Sequence, residues 1–362
     1  MFELERALAK KISRRDFLKY SSSLALLLGL SQSHVPKIAN ALETVKLQKQ
    51  PLIWLNGTSC AGCTISFANT NYPSVSELIL DTLSVKYNET LMAASGEVAE
   101  KALEDAMEQF KGKYIMVLEG AVPTKNGGVY LRVAGKPFVE KVKKVAANAA
   151  YCVAMGTCAS FGGIPAASPN PTGCKGLKDV VDGNVVNIPG CPAHPDWLVG
   201  IIVNMLLFRK IPNLDKHGRP QMFYRKLVHD GCPRRGAYEQ RQYIEQFGVE
   251  LDGIEGCMGA KGCRGPVASA DCPNRLWNSG TSFCISACTP CTGCVEPDFP
   301  QSLLYKPIPQ ALKEVKDKEA GGAIDTIGAG FGGAITGAAV TAGALYLAGG
   351  KAKQRASRNE GA

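Results

Sequence analysis

Residues 52–60 read LIWLNGTSC, an apolar run that leads into a glycine-containing loop and ends on a cysteine. The same order recurs where the runs 151–155 and 185–188 lead into Gly156-Thr157-Cys158 and Pro189-Gly190-Cys191. A further apolar run, 113–119, ends at Gly120. Short apolar runs closed by glycine or proline are typical of buried parallel strands. Helical patterns lie between them at 75–83, 98–110 and 138–150, so the sequence predicts a doubly wound α/β sheet.

Four cysteines directly follow these predicted strands: Cys60, Cys63, Cys158 and Cys191. In an open α/β sheet, ligands gather beyond the carboxyl ends of the strands. We therefore expect four thiols from three distant segments to converge at one edge of the sheet.

Residues 216–300 differ from the first half of the chain. They are rich in cysteine, glycine and proline, and show little periodicity beyond 238–247. Such a segment cannot build a large apolar core alone, but metal clusters could hold it together. Its candidate ligands are His229, Cys232, Cys257, Cys263, Cys272, Cys284, Cys288, Cys291 and Cys294. Spacing alone leaves iron–sulfur clusters, zinc sites and disulfides open.

The first 41 residues are predicted to be a removable export signal. Ser13-Arg14-Arg15-Asp16-Phe17-Leu18-Lys19 precedes a short apolar run and the small-residue site Ala39-Asn40-Ala41, and the paired arginines are of the twin-arginine type. Cleavage would lower the net charge from +9 to (41−7)−(32−3), or +5. No basic cluster interleaved with aromatic residues occurs elsewhere, so we expect no nucleic-acid binding.

The C-terminus contains a second apolar stretch. Residues 327–348 carry no charge and would span about 33 Å as a helix. This predicts a polar linker at 306–322, a transmembrane helix at 323–350 and a tail at 351–362. The tail is basic and would stay cytoplasmic, which places the body on the periplasmic side of the cell membrane. A flexible Gly/Ala linker is the alternative.

Six motifs together resemble the small subunit of periplasmic or membrane-bound nickel–iron hydrogenases, over about residues 51–309. They are Cys60-Ala61-Gly62-Cys63, Glu119-Gly120-Ala121-Val122-Pro123, Gly156-Thr157-Cys158, Pro189-Gly190-Cys191-Pro192, His229-Asp230-Gly231-Cys232-Pro233 and Cys294-Val295-Glu296-Pro297. The resemblance implies a flavodoxin-like domain at 42–215, followed by a smaller, irregular iron–sulfur domain at 216–305. It also implies that the nickel–iron centre lies in a separate large subunit, so no catalytic residue is expected here.

By position, the resemblance implies three iron–sulfur clusters in a line. Cys60, Cys63, Cys158 and Cys191 would hold a proximal [4Fe-4S] cluster, and His229, Cys232, Cys257 and Cys263 a distal [4Fe-4S] cluster. Cys272, Cys284, Cys291 and Cys294 would hold the medial cluster. Many relatives carry proline at about position 284 and hold a [3Fe-4S] cluster, so the cysteine here favours a medial [4Fe-4S] cluster. Cys288 is a rival fourth ligand.

The function implied is electron transfer in an uptake hydrogenase. Electrons from dihydrogen oxidation in the large subunit would pass through the three clusters to a membrane cytochrome b and quinone. Two alternatives remain open. One is an iron–sulfur module of a related respiratory complex, and the other is a non-enzymatic, disulfide-stapled, membrane-anchored exported protein.

Overall fold

A computed structural model describes residues 49–70, 74–77, 83–244, 246–247 and 256–300, together with residues 22, 25, 33, 35, 36 and 38. All of them belong to one unit, Met1–Pro307. The predicted signal at 1–41, apart from those six positions, and the predicted segments 306–322, 323–350 and 351–362 lie outside the described residues.

The centre of the fold is a parallel five-stranded sheet. Its strands are β1 (Gln50–Asn56), β2 (Leu83–Asn88), β3 (Ile115–Glu119), β7 (Tyr151–Met155) and β9 (Val185–Ile188). They lie in the order β2-β1-β3-β7-β9. Ranked along the chain, this is the order 2-1-3-4-5 of flavodoxin-like folds, in which the direction of winding reverses between β1 and β3. The predicted parallel α/β sheet is therefore present.

Short antiparallel pairs complete the strands. They are β4 (Val122–Pro123) with β8 (Cys174–Lys175), and β5 (Arg132–Val133) with β6 (Lys136–Pro137). Strand β4 follows β3 closely, and its pairing with β8 brings Cys174 next to the loop that follows β1. The thiol of Cys174 lies there 3.6 Å from the hydroxyl of Thr58.

Side chains alternate between the two faces of the sheet. Leu52 and Trp54 pack into one buried cluster, and Ile53 and Leu55 pack into another on the opposite face. All five residues of β3 are buried. Because both faces are covered, the strands other than β2 are largely continuous apolar runs rather than alternating ones.

Helices cover the sheet and carry several of the candidate ligands. They are α1 (Gly62–Ala68), α2 (Val75–Glu77), α3 (Gly96–Gln109), α4 (Phe138–Ala146), α5 (Thr157–Phe161), α6 (Pro195–Phe208), α7 (Gln221–Tyr224), α8 (Arg235–Glu239) and α9 (Cys272–Arg275). The α6 helix is apolar on most of its surface. It packs in the same buried cluster as Trp54 and as Phe283 and Val295 of the cysteine-rich region. A helix that is apolar all round is expected where both of its sides are covered.

Residues 216–300 contain little regular structure in the part that is described. Beyond α7, α8 and α9 there are single 3-10 turns at Val228–Gly231 and Gly259–Lys261. The periodic stretch 238–247 overlaps only the end of α8, which stops at Glu239.

The edge strand β2 was not predicted. The helical pattern was expected to run to Leu83, but Leu83 begins a strand that pairs with β1. Three of its six residues, Ser84, Val85 and Lys86, are only half-buried, as an edge position allows. Residues 83–88 read LSVKYN and alternate apolar and polar side chains, which is the pattern of a half-buried strand, so the signal was present in the sequence.

The fold-class prediction needs one correction, because it included a C-terminal transmembrane helix. In the part of the chain that the structure describes, no helix is long and apolar enough to cross a membrane. The most apolar helix there, α6, has 14 residues and is about 21 Å long, which is short of the roughly 30 Å of a hydrocarbon core. The described residues form the parallel α/β sheet and its cysteine-rich extension.

Candidate metal-cluster sites

The four predicted proximal cysteines come together at the carboxyl edge of the sheet. Cys60 and Cys63 follow β1, Cys158 follows β7 and Cys191 follows β9. Burial raises the pKa of the Cys63 thiol, and the nearby Glu119, Cys158 and Cys191 raise it further. Burial also raises the pKa of Cys158 to about 11, with contributions from Cys191 and Cys60. The four thiols therefore form one interacting group.

Glycines leave room beside these sulfur atoms. A Cβ atom at Gly156 would lie 2.6 Å from Sγ of Cys63, and one at Gly163 would lie 2.9 Å from Sγ of Cys158. Both glycines have positive φ values, +89° and +51°. A side chain at either position would fill the space around the thiols. The cradle and its all-thiol donor set fit an iron–sulfur cluster, whose iron atoms bind thiolates. Since burial and mutual repulsion oppose deprotonation of these thiols, a cationic metal core would stabilise their thiolate forms.

A buried carboxylate supports this edge of the sheet. Glu119 ends β3 and is 2% exposed. Its Oε1 accepts a hydrogen bond from the backbone N–H of Cys63, and its Oε2 accepts one from the backbone N–H of Thr64, each at 3.0 Å. The hydroxyl of Thr64 and the amide of Asn56 also donate to Oε2. Glu119 thus satisfies the free N–H groups of the first turn of α1 and fixes Cys63 relative to β3.

The predicted distal residues lie together in the cysteine-rich region. Burial raises the pKa values of Cys232, Cys257 and Cys263, to about 11 for Cys257. Cys257 interacts electrostatically with both of the others. His229 lies one turn before Cys232, whose backbone N–H donates to its carbonyl at 3.2 Å.

The imidazole of His229 is suited to binding a metal. Burial and, to a smaller extent, the charge of Arg235 lower its pKa, which favours the neutral form that coordinates metals. Its ring lies edge-on to that of Tyr238, with centroids 4.5 Å apart. One imidazole and three thiols are a donor set that fits an iron–sulfur cluster.

Cys272, Cys284, Cys291 and Cys294, the predicted medial residues, also form an interacting group. Burial raises the pKa of Cys272 to about 12, and Cys284 contributes to the rise. Burial likewise raises the pKa of Cys294, with contributions from Cys272 and Cys284. The thiol of Cys291 interacts with those of Cys294 and Cys272.

Cys288, the rival medial ligand, lies elsewhere. Its thiol accepts a hydrogen bond from the guanidinium of Arg234 at 3.3 Å, beside the distal residues. Its neighbour in the sequence pattern, Cys284, interacts with Cys272, Cys294 and Cys263. Of the two rivals, Cys284 is therefore the one grouped with the predicted medial thiols.

Two contacts join the three groups into a row. The backbone of Cys191 hydrogen-bonds to the thiol of Cys294, which links the proximal and medial residues. The backbone N–H of Cys291 donates to Sγ of Cys263 at 3.4 Å, which links the medial and distal residues. The hydroxyl of Thr157 adds a further link, because it donates to the carbonyl of Cys294 and accepts from the backbone N–H of Gly190.

All fourteen cysteines are free thiols. Cys152 lies inside β7 and Cys174 inside β8, and both are buried. No group of three or more His, Cys, Asp or Glu side chains in the described part of the chain is arranged for a single metal ion.

His194 is not grouped with the thiols. It begins α6, where its Nδ1 accepts from the backbone N–H of Asp196 and its Nε2 lies 2.6 Å from the carbonyl of Leu276. Sequence reasoning assigned no role to Glu119 or to the buried arginines Arg219 and Arg234. Glu119 ends an apolar run and begins one of the six motifs, and those were the signals that could have identified it.

Two family profiles match this chain, and each matches a different part of it. Residues 60–205 match the family profile "NADH ubiquinone oxidoreductase, 20 Kd subunit". Residues 224–305 match the profile of the C-terminal region of the NiFe/NiFeSe hydrogenase small subunit.

Full-length relatives are hydrogenase subunits. The chain is 40% identical to the uptake hydrogenase small subunit of Azotobacter vinelandii over 339 residues, which are 93% of each chain. It is 42% identical to the periplasmic [NiFe] hydrogenase small subunit of Solidesulfovibrio fructosivorans, over 82% of this chain and 92% of the relative.

Solved structures of hydrogenases superpose on this chain. The Ni-Fe-Se hydrogenase from Desulfomicrobium baculatum superposes with a TM-score of 0.68 and 36% identity, over 72% of this chain and 100% of the other. The actinobacterial-type NiFe-hydrogenase from Ralstonia eutropha H16 gives 0.69 and 27% identity, over 83% and 91%. Small subunits of this family carry iron–sulfur clusters and pair with a hydrogenase large subunit. The chain belongs to the family of nickel–iron uptake hydrogenase small subunits, which transfer electrons.

Proposed function

We propose that this chain conducts electrons from the large subunit along three iron–sulfur clusters, in the order proximal, medial, distal. The observation that carries the proposal is the row of thiols, in which Cys191 contacts Cys294 and Cys291 contacts Cys263. Bound clusters of this type take up and release single electrons. The chain contributes fixed spacing between the sites and a buried, thiol-rich environment for each of them.

The proposed ligands are the three groups described above. Cys60, Cys63, Cys158 and Cys191 hold the proximal [4Fe-4S] cluster, and His229, Cys232, Cys257 and Cys263 hold the distal one. Cys272, Cys284, Cys291 and Cys294 hold a medial [4Fe-4S] cluster. The interactions of Cys284 with Cys272 and Cys294 support this choice over Cys288.

A double substitution in the middle of the row tests the relay. In the complex with the large subunit, replacing Cys291 and Cys294 together by alanine should remove the medial cluster and its EPR signal. Dihydrogen should still reduce the proximal cluster rapidly, while reduction of the distal cluster becomes slow in freeze-quenched samples. Cys152→Ala is the control, because Cys152 is a buried cysteine outside the row. Normal distal reduction in the double variant without a medial signal would overturn the relay.

A second experiment tests the medial cluster. Oxidised wild-type complex should show no three-iron EPR signal, and Cys284→Ser should produce one. Cys288→Ser should leave the medial cluster unchanged. The reverse result would make Cys288 the ligand, and a three-iron signal in the wild type would refute the four-iron assignment.

We also propose that the subunit works on the extracytoplasmic side of the cell membrane and passes electrons to a cytochrome b in that membrane. The twin-arginine sequence at residues 13–19 supports export. Replacing Arg14 and Arg15 by lysine should leave the subunit in the cytoplasmic fraction. Unchanged accumulation outside the cytoplasm would contradict export by this route.

A further inference from the structure

Arg234 is a buried cation beside the predicted distal residues. It lies two residues after Cys232, and it is only 6% exposed. Its guanidinium donates to the carbonyl of Gly256 at 2.8 Å, which fixes it against the segment that carries Cys257. Burying an arginine costs free energy unless hydrogen bonds or nearby negative charges compensate for the loss of hydration.

The charge of Arg234 lies close enough to the distal thiols to act on them. Burial raises the pKa values of Cys232, Cys257 and Cys263, and the charge of Arg234 opposes the rise in all three cases. Its backbone N–H also hydrogen-bonds to the thiol of Cys232. A single guanidinium therefore favours negative charge on three of the four proposed ligands.

Cys288 contacts the second terminal nitrogen of this guanidinium. Its thiol accepts from Nη2 of Arg234 at 3.3 Å. Cys288 is exposed, and its backbone has a φ of +57°, which cysteine rarely adopts. The strained turn directs this cysteine toward Arg234, away from the medial thiols that Cys284 joins.

We propose that Arg234 is a positioning residue that raises the reduction potential of the distal site, and that Cys288 holds its guanidinium in place. This rests on the distal cluster proposed above. Each electron added to an iron–sulfur site makes it more negative, so a fixed positive charge nearby favours the reduced state. Because Arg234 is buried, solvent and salt screen its charge much less than that of a surface arginine. The effect is to keep the last site of the row able to accept electrons from the medial one.

Arg225 provides a comparison. It is also an arginine and lies four residues before His229, but its side chain is exposed. An exposed charge is largely screened by solvent and salt. Removing it should change the distal site far less than removing Arg234.

The test is a potentiometric EPR titration of the complex with the large subunit. Arg234→Gln should shift the distal midpoint potential downward and leave the proximal and medial potentials in place as internal references. Arg234→Lys keeps the charge and should shift the distal potential less. Cys288→Ala should shift it in the same direction by a smaller amount, Cys288→Ser should recover part of that shift, and Arg225→Gln should show little change.

Two results would overturn the inference. One is a distal potential in Arg234→Gln that equals the wild-type value. The other, which applies also if Arg234→Gln fails to fold, is a distal potential in Cys288→Ala that equals the wild-type value. The absence of any distal signal in the wild-type complex would instead refute the proposed distal cluster itself.

Discussion

At the residue scale, the carboxylate of Glu119 organises the edge of the sheet that carries the proximal thiols. It is buried and accepts hydrogen bonds from residues of β1 and α1, including the backbone N–H groups of Cys63 and Thr64. Its two oxygens can accept from several donors at once, which a neutral amide of the same shape cannot do. The geometry of Cys63 therefore depends on a charge that takes no part in metal binding.

Glu119→Gln tests that dependence. The amide would turn N–H donors toward the N–H groups of Cys63 or Thr64, and we expect a loss of about 2–3 kcal/mol in stability. Urea unfolding of the complex, followed by the visible absorbance of its clusters, measures the loss. Glu108→Gln removes a carboxylate from the exposed face of α3 and should change stability by less than about 0.5 kcal/mol. Equal stability of the two variants would show that Glu119 has no such role.

Gly156 gives a second prediction at this scale. Gly156→Ala would place a Cβ atom 2.6 Å from Sγ of Cys63 and would also strain a backbone with φ of +89°. Gly112→Ala imposes a similar positive-φ strain, at +70°, but has no atom within 4 Å. We expect both variants to lose about 1–2 kcal/mol, and only Gly156→Ala to lose the proximal EPR signal. Normal iron content and a normal proximal signal in Gly156→Ala would contradict the cradle.

The cysteines could be located from the sequence because each proximal one follows an apolar run, and strand ends mark ligand sites in α/β sheets. The choice between Cys284 and Cys288 could not be made that way. Both lie in an irregular loop, and only the fold shows that one faces Cys272 while the other faces Arg234. Buried charges such as Glu119 and Arg234 were missed because charged residues are usually exposed.

At the scale of elements, Arg219 ties the end of the sheet region to the segment that carries Cys294. It is 4% exposed, and its guanidinium contacts Asp215 at 2.7 Å and Glu296 at 2.9 Å. It also donates to the carbonyl of Val295. Glu296 in turn accepts from the backbone N–H of Ser269 at 2.7 Å. One arginine thus fixes the loop at 215–219 against the last medial thiol.

Arg219→Met should therefore weaken both segments. Removing one partner of a buried ion pair leaves the other charges uncompensated, which costs about 3–5 kcal/mol. Arg235→Met breaks an exposed pair and should cost at most about 1 kcal/mol. Hydrogen exchange by mass spectrometry should show faster exchange around 293–297 in Arg219→Met only. Unchanged exchange there would show that Arg219 does not stabilise the segment that carries Cys294.

The same contact predicts a pH dependence. Burial alone would raise the pKa of Asp215, but its hydrogen bonds and ion pair with Arg219 hold that pKa below its ordinary value. A lowered carboxyl pKa stabilises the fold above the unfolded pKa of about 3.9, and this stability is lost as the pH falls through the folded value. Wild-type stability should therefore fall as the pH is lowered from about 5 toward 3.

In Arg219→Met, the part of this dependence that Asp215 contributes should become smaller, because the side-chain hydrogen bond and the ion pair are lost while the backbone N–H groups of residues 217 and 219 still donate to the carboxylate. Urea midpoints measured between pH 3 and 5 for both proteins give the comparison. Parallel curves would exclude the ion pair as a source of acid sensitivity.

Elements with a strong apolar signal were predictable, and those stabilised by neighbours were not. The predicted strand at 185–188 coincides with β9, and the helix expected from 98 to 110 corresponds to α3. The edge strand β2 was missed because the helical pattern was extended to Leu83, although residues 83–88 alternate apolar and polar side chains. The cysteine-rich region offered little periodicity beyond 238–247, so its short helices could not be predicted.

At the scale of the whole molecule, the chain combines two ways of stabilising a fold. The sheet and α6 bury continuous apolar runs on both faces, whereas residues 224–300 rely on short helices, single turns and grouped thiols. Apolar side chains beyond the sheet, such as Phe223 and Phe283, do join the buried cluster around Trp54. In residues 224–300, however, burial raises the pKa values of seven thiols despite the hydrogen bonds and the charge of Arg234 that lower them, so cluster binding should contribute much of the stability of this region.

Removal of the clusters should therefore destabilise residues 224–300 more than the sheet region. After treatment of the complex with a chelator under reducing conditions, we expect limited proteolysis to cut first within 224–300. A fragment that begins near residue 49 and ends after α6 should persist, because its core consists of apolar contacts. Mass spectrometry of the fragments locates the cuts, and complex with intact clusters is the control. Early cleavage within 113–119 or 185–188, or equal resistance of both halves without clusters, would show that metal binding is not what holds the cysteine-rich region.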